Sequence, residues 1–218
     1  MADFMRARSS SQKEERMTEI KKAADAQFAE KPYHMITLTT IAEQLSWSRA
    51  NLYKYVTTKE EIFLELTREK WDTYFTALRS AFPPGCGYSP EVASEVWAGI
   101  LNADNGHLKY SAILPSIIET NVAIEKLAAF KKFFHQQTDA FTELLHLNFG
   151  FSQEKAYEIF MTIHYQAVGL YGYCNAGPLV EKALRMAEVN LIIPDFRERM
   201  KEFIHMNLLF AIENPVFL

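Results

Sequence analysis

Between Thr37 and Lys59 the chain gathers side chains that make directional hydrogen bonds and offers few places to bury them. Arg49, Asn51, Tyr53, Lys54 and Tyr55 follow one another closely, with Thr58 and Lys59 just beyond. An arginine fork carries two parallel N–H donors that match guanine O6 and N7, and lysine donates to guanine or to phosphate. Tyrosine hydroxyls suit phosphate oxygens, and a tyrosine ring or the Ala50 methyl group suits a thymine methyl. Thr58 and Lys59 would add a hydroxyl and a cation beside the free N–H groups of a helix start, a phosphate clamp. The chemistry implied is recognition of duplex DNA through its major groove. The plain alternative is a solvated amphipathic helix whose tyrosines cover neighbouring core.

Covalent chemistry finds much less support. The two cysteines, Cys86 and Cys174, are far apart and lack metal-type spacing. A helical hydrolase or transferase would pair one of them with a histidine, yet there is no phosphate-binding glycine loop, no nucleophile elbow and no local Cys/His arrangement. The histidines are scattered, so no metal or cofactor is expected and no residue is assigned a catalytic role.

The elements that must position the polar cluster are helices. Met17, Ile20, Ala24, Gln27 and Phe28 recur at three- and four-residue steps, so a helix is expected over about 12–31, stopped by Pro32. Thr37 offers an N-cap for a short second helix with Ile41, Ala42 and Leu45 inside. Ser48 caps a third, expected through about Val56, and Thr58 a connecting helix over 58–82. The spacing of the second and third helices is that of a helix-turn-helix. It needs a small residue where the helices cross (Ala42), apolar wedges (Ile41, Leu45, Trp47, Leu52, Val56) and a corner residue that tolerates positive φ. Glycine is usual at such a corner; Ser46 stands here, at a cost of about 1 kcal/mol.

The fold class expected for the whole chain is all-α. After "PPGCGYSP" at 83–90, helical patterns run over about 90–102, 106–120, 122–148, 152–174, 178–190 and 195–213, with Pro115 interrupting the second. No apolar run reaches the roughly 20 residues a bilayer span needs, and the N-terminus has no apolar stretch of a secretion signal, so a cytoplasmic, non-membrane protein is expected. The Ser-rich residues 1–11 read as a loose arm. The formal net charge is −4, but residues 1–60 hold 10 Lys and Arg against 8 Asp and Glu, the remainder 13 against 19. The positive end would face a polyanion.

Residues 23–66, "AADAQFAEKPYHMITLTTIAEQLSWSRANLYKYVTTKEEIFLEL", resemble the TetR family of transcriptional regulators. The resemblance lies in "A…F.EK", "IA..L" and "S…LY.Y…KE"; Pro32, Ser46, Trp47 and Asn51 depart from the usual residues. It implies an N-terminal three-helix DNA-binding domain (12–58), joined by the connecting helix to a larger helical ligand-binding and dimerisation domain (59–218). By motif position it makes Thr39, Arg49, Ala50, Asn51, Tyr53, Lys54, Tyr55 and Lys59 candidate DNA contacts, and Ser48 and Thr58 are added to them. It further implies a palindromic operator, a repressor released by a small molecule, and a homodimer; an activator of the same fold is the competing reading.

Two features of the C-terminal part fit those expectations. Residues 152–174 and 195–213 carry more apolar surface than one neighbour buries, which points to a dimer contact. Aromatic and Met residues abound over 97–174, suiting a largely apolar ligand with a few polar anchors. The candidate lining residues are Trp97, Tyr110, Asn121, Phe134, His135, Phe160, His164 and Tyr165.

Overall fold

The computed structural model describes residues 2–214, with side chains from Ser11 onward. Among these residues every regular element is helical, as expected. Helix α1 spans Ala2–Glu30, α2 Leu38–Gln44, α3 Arg49–Leu52, α4 Lys59–Ala81 and α5 Pro90–Ala103. Helix α6 spans Gly106–Ser111, α7 Ile124–Phe149, α8 Gln153–Cys174, α9 Pro178–Met186 and α10 Phe196–Glu213.

Three spans differ from expectation. Helix α1 begins ten residues early, because the segment read as a loose arm contains no Gly or Pro to stop it; Met1 lies outside the described residues. Helix α3 is regular only to Leu52. It then tightens, with Lys54 N bonding Asn51 O and Tyr55 N bonding Leu52 O, and closes when Val56 N returns to Leu52 O. The helix expected over 106–120 stops at Ser111. A π-turn follows over Leu114–Ile118, in which Ile118 and Glu119 donate to Ile113 and Leu114, five residues back. Pro115 lacks the N–H that would continue an α-helical ladder.

The chain divides into two compact units, residues Met1–Glu69 with Ile113–Lys131, and Lys70–Ala112 with Lys132–Leu218. The division falls inside α4 and inside α7, not at the expected boundary of 58/59. In the first unit Ile20, Ala24 and Phe28 of α1, Ile41 and Ala42 of α2, Leu52 and Val56, and Ile62, Phe63 and Leu66 of α4 are all buried. Phe63 packs edge-on against Phe28 and Tyr33, with centroids 5.2 and 4.8 Å away.

The second unit is built around rings. Trp71, Phe75, Phe82, Trp97, Phe141 and Phe160 are at most 1% exposed. Helix α10 packs on α5 and α8, and α6 on α8. Helix α9 buries none of its side chains. No helix of the described residues is long and apolar enough to cross a membrane.

Candidate nucleic-acid interface

The α2–α3 corner is fixed by its own backbone. Trp47 N donates to Ala42 O at 2.8 Å and Ser46 N to Glu43 O at 3.0 Å, the paired bonds of a Schellman stop. That stop requires a left-handed residue, and Ser46 has φ 55°. The chain therefore turns where the sequence required it, with serine bearing the strain that glycine would avoid. Thr37 and Thr40 form a reciprocal capping box at the start of α2, and Ser48 Oγ accepts from Asn51 N at 3.2 Å at the start of α3.

A buried glutamine joins this pair to α1. Gln27 Nε2 donates to Thr40 O (2.9 Å) and Gln44 Oε1 (2.8 Å), while its Oε1 accepts from the Thr40 hydroxyl at 2.8 Å. The sequence placed Gln27 on the inner face but gave no sign of this brace. Ala42, only 2% exposed, is the small residue at the crossing, and Leu52 and Val56 close the interior.

With those residues inward, Thr39, Ser48, Arg49, Ala50, Tyr53 and Lys54 are exposed, and Asn51 and Tyr55 are half-buried. Arg49 Nη2 donates to the Tyr53 hydroxyl at 2.9 Å, with the guanidinium 5.3 Å from the ring centroid. The pair holds an extended arginine against a neighbour one turn away, reducing the rotamer freedom lost on contact with a base. Tyr55 packs on Trp47 (5.7 Å), and Trp47 carries Arg16 above its ring (5.3 Å), so α1 adds a cation beside the same corner.

The expected phosphate clamp is arranged differently. Lys59 Nζ donates to Ile36 O (2.7 Å) and Tyr33 O (3.0 Å) and lies 4.0 Å from the Tyr33 ring centroid. Burial lowers its pKa. The cation is spent on binding the 33–36 turn to α4, beside a hydrogen bond from the Tyr33 hydroxyl to Glu60. Thr58 Oγ accepts from Glu61 N and donates to Asn121 O at 3.4 Å. Glu61, in turn, accepts from Thr57 N and pairs with Lys126 at 2.9 Å. Residues 113–131 thus hold the start of α4, a contact between distant parts of the sequence.

Two family profiles cover nearly all of this chain: "Bacterial regulatory proteins, tetR family" over residues 20–66, and "Tetracyclin repressor-like, C-terminal domain" over 68–209. The chain belongs to the TetR family. It is accordingly a DNA-binding transcriptional regulator, and regulators of this family act as dimers that bind operators and small molecules. No curated protein matches its sequence. Among solved structures, the fatty acid degradation regulator FadR from Bacillus halodurans is similar over 88% of this chain and 94% of its own, with 19% identity and a TM-score of 0.54. At that identity the fold is what the two share.

The residues expected to line a ligand site in this TetR-family chain do not all meet. Trp97, Tyr110 and Phe160 are buried, and half-buried Phe134 and His164 each lie 4.8 Å from Trp71, centroid to centroid. Asn121 falls in the first unit, where its amide donates to Ile117 O. His135 is exposed and faces Asp139 at 3.5 Å, a helical neighbour; Tyr165 is 65% exposed. Helices α7 and α8 turn His135 and Tyr165 to their outer faces, and Asn121 lies ahead of α7.

Sequence reading missed Trp71 and His107, which the structure gathers with His164 in the second unit, and Ser111, four residues beyond His107 on α6. Trp71 Nε1, both His107 ring nitrogens, Ser111 Oγ and His164 Nδ1 are buried without a hydrogen-bond partner among the described residues. The Asp104 backbone carbonyl lies near enough to His107 to oppose the effect of burial on its pKa, but falls outside hydrogen-bond geometry. Burial, reinforced by the neighbouring His164, lowers the His107 pKa to about 3; burial lowers that of His164 to about 4.

Proposed function

We propose that the chain is a cytoplasmic repressor that binds a palindromic operator as a homodimer and leaves it when a small, largely apolar molecule enters the second unit. The observation that carries the DNA-reading half is the Arg49–Tyr53 pair, presented outward with Lys54 beyond a rigid Schellman corner. Arg49 and Lys54 read base edges, Asn51 and the Ala50 methyl add contacts, and Thr39, Ser48, Tyr53 and Tyr55 position the phosphates. Thr58 and Lys59 act from behind, by holding the start of α4.

The dimer surface lies on the outer sides of α8 and α10. Ala156, Ile159, Phe160, Ile163 and Ala167, with Met200, Ile204 and Leu208, fill the chain's own core. What remains outside includes Tyr157, Tyr165, Tyr173, Met206 and Phe210, each more than 40% exposed, and beyond the chain neighbours and the local helix backbone nothing lies within 4 Å of where a Cβ on Gly169 or Gly172 would stand. Bare glycines beside exposed aromatics suit close approach of a second copy. Two-fold symmetry then spaces the two recognition helices about 34–36 Å apart, one turn of DNA.

Helices α4 and α7 each run unbroken from one compact unit into the other, so either can carry a change in the second unit to the first. Release requires the molecule to bind the DNA-competent and released states unequally. A salt-dependent gel shift on genomic fragments tests the proposal. An inverted-repeat site whose affinity falls with salt supports it, and binding without a repeat contradicts the dimeric arrangement. The activator reading differs only in where that site lies relative to a promoter.

A further inference from the structure

We propose that Trp71 and His107 hold the carbonyl oxygen of an uncharged small molecule with an aromatic or otherwise flat apolar body. The inference rests on the reading that the second unit binds a small molecule and names what that molecule must carry.

Buried polar groups in native proteins are nearly always hydrogen-bonded, because each unpaired one forfeits its hydration without return. This core respects the rule elsewhere: the Trp97 indole N–H donates to the Tyr74 hydroxyl at 2.7 Å. At the rings that border Tyr74 it departs from it, at Trp71 and at His107. Trp71 and His107 are each 1% exposed, and Ser111 is 7% exposed. The His107 ring is stacked on Tyr74 (3.9 Å, 13°) and lies 5.2 Å from Trp71, so neighbouring rings hold it in place. His164 approaches Trp71 from α8 at 4.8 Å.

The chemistry of the missing partner follows from counting donors. The Trp71 indole can only donate, and a neutral imidazole carries one N–H. Since neither His107 nitrogen has a partner, at least two N–H groups lie idle on rings that are neighbours. One oxygen with two lone pairs answers both, and a carbonyl is the simplest such group. The second His107 nitrogen, His164 Nδ1 and Ser111 Oγ remain for a heteroatom next to it. Among the described residues no carboxylate, lysine or arginine contributes to the shift of either imidazole, and with pKa values near 3 and 4 both rings are neutral near pH 7. A carboxylate would enter such a site with no cation to meet it. The surrounding rings, Trp71, Tyr74, Phe75, Phe134 and Phe160, favour a flat apolar body.

Ethylbenzene, acetophenone and benzoate share a ring and differ in the group attached, so they separate the effects of body and head. With the full-length protein at pH 7, calorimetric titration is expected to give acetophenone an affinity at least about tenfold above ethylbenzene. Benzoate is expected to bind no better than ethylbenzene, and the imidazole 15N signal of His107 to shift with acetophenone alone. His107→Phe keeps the ring stack and removes the idle nitrogens; its thermal midpoint is expected to hold or rise, and the preference for acetophenone to fall to about twofold or less. Should that variant fail to fold, the 15N signal of the parent decides. The proposal is overturned if none of the three binds, if acetophenone and ethylbenzene bind alike, if benzoate binds best, or if His107→Phe keeps the preference. Acetophenone binding as expected with operator affinity unchanged would leave this site standing and remove the release mechanism instead.

Discussion

The ammonium of Lys59 lies 2.7 Å from the carbonyl oxygen of Ile36 and 3.0 Å from that of Tyr33, tying the turn before α2 to the first residue of α4. The sequence suggested a phosphate clamp; the geometry makes this lysine an internal brace. Lys59→Ala is therefore expected to cost about 1–3 kcal/mol of stability, since it strands a part-buried carbonyl. Chemical denaturation of the variant measures this. An unchanged midpoint together with a flatter salt dependence of DNA binding would return Lys59 to the phosphate backbone.

Ser46 gives a prediction of opposite sign. Its φ of 55° is paid for by a Cβ that glycine lacks, and its side chain is exposed. Ser46→Gly should stabilise the first unit by about 0.5–1 kcal/mol. Operator affinity should be unchanged, because the Schellman bonds at Ser46 N and Trp47 N remain available. Urea denaturation midpoints of the two proteins test this, and a destabilised variant would show that the hydroxyl matters.

Glu61 links stability to acid. Burial would raise its pKa, but the Thr57 N–H and the Lys126 ammonium outweigh it and hold the carboxyl below its usual range. A depressed native pKa contributes stability that is complete above the unfolded-state value and lost as pH falls through the native one. The parent should therefore lose thermal stability below about pH 4, and Glu61→Gln should start lower and lose less over the same interval. Parallel acid profiles would mean that the Glu61–Lys126 pair is not linked to folding.

The dimer surface is tested at α10. Phe210 and Met206 are 54% and 58% exposed. Phe210→Glu with Met206→Glu should give a folded monomer whose operator affinity falls by orders of magnitude, as half-sites can no longer be engaged together. Sedimentation at micromolar concentration reads the first effect and a gel shift the second. A variant that stays dimeric moves the interface elsewhere.

Much of this molecule is legible in its sequence because local signals agree. Thr37, Ser48 and Ser46 mark the caps and corner of the helix-turn-helix, and each performs its expected backbone role. What escaped is non-local. Nothing in the spacing of Gln27, Lys59 or Glu61 shows that they meet Thr40, Ile36 and Lys126, since those contacts arise only when separate helices pack. Among the aromatics, the sequence separates neither Tyr165, turned outward, from Trp97, buried, nor Trp71 and His107 from an ordinary core. Helical periodicity identifies faces but does not tell which polar atoms a fold leaves without partners.

The central claim is that Arg49 reads a guanine in the major groove. The most direct test pairs Arg49→Ala with an operator duplex in which single guanines are replaced by 7-deazaguanine, which lacks the N7 acceptor. For the parent, one such replacement per half-site should cost about 1–3 kcal/mol of binding. For Arg49→Ala, which should already have lost a comparable amount, the same replacement should cost nearly nothing further. Fully additive losses at every guanine would contradict the account, because they would show that Arg49 and the base edge do not meet.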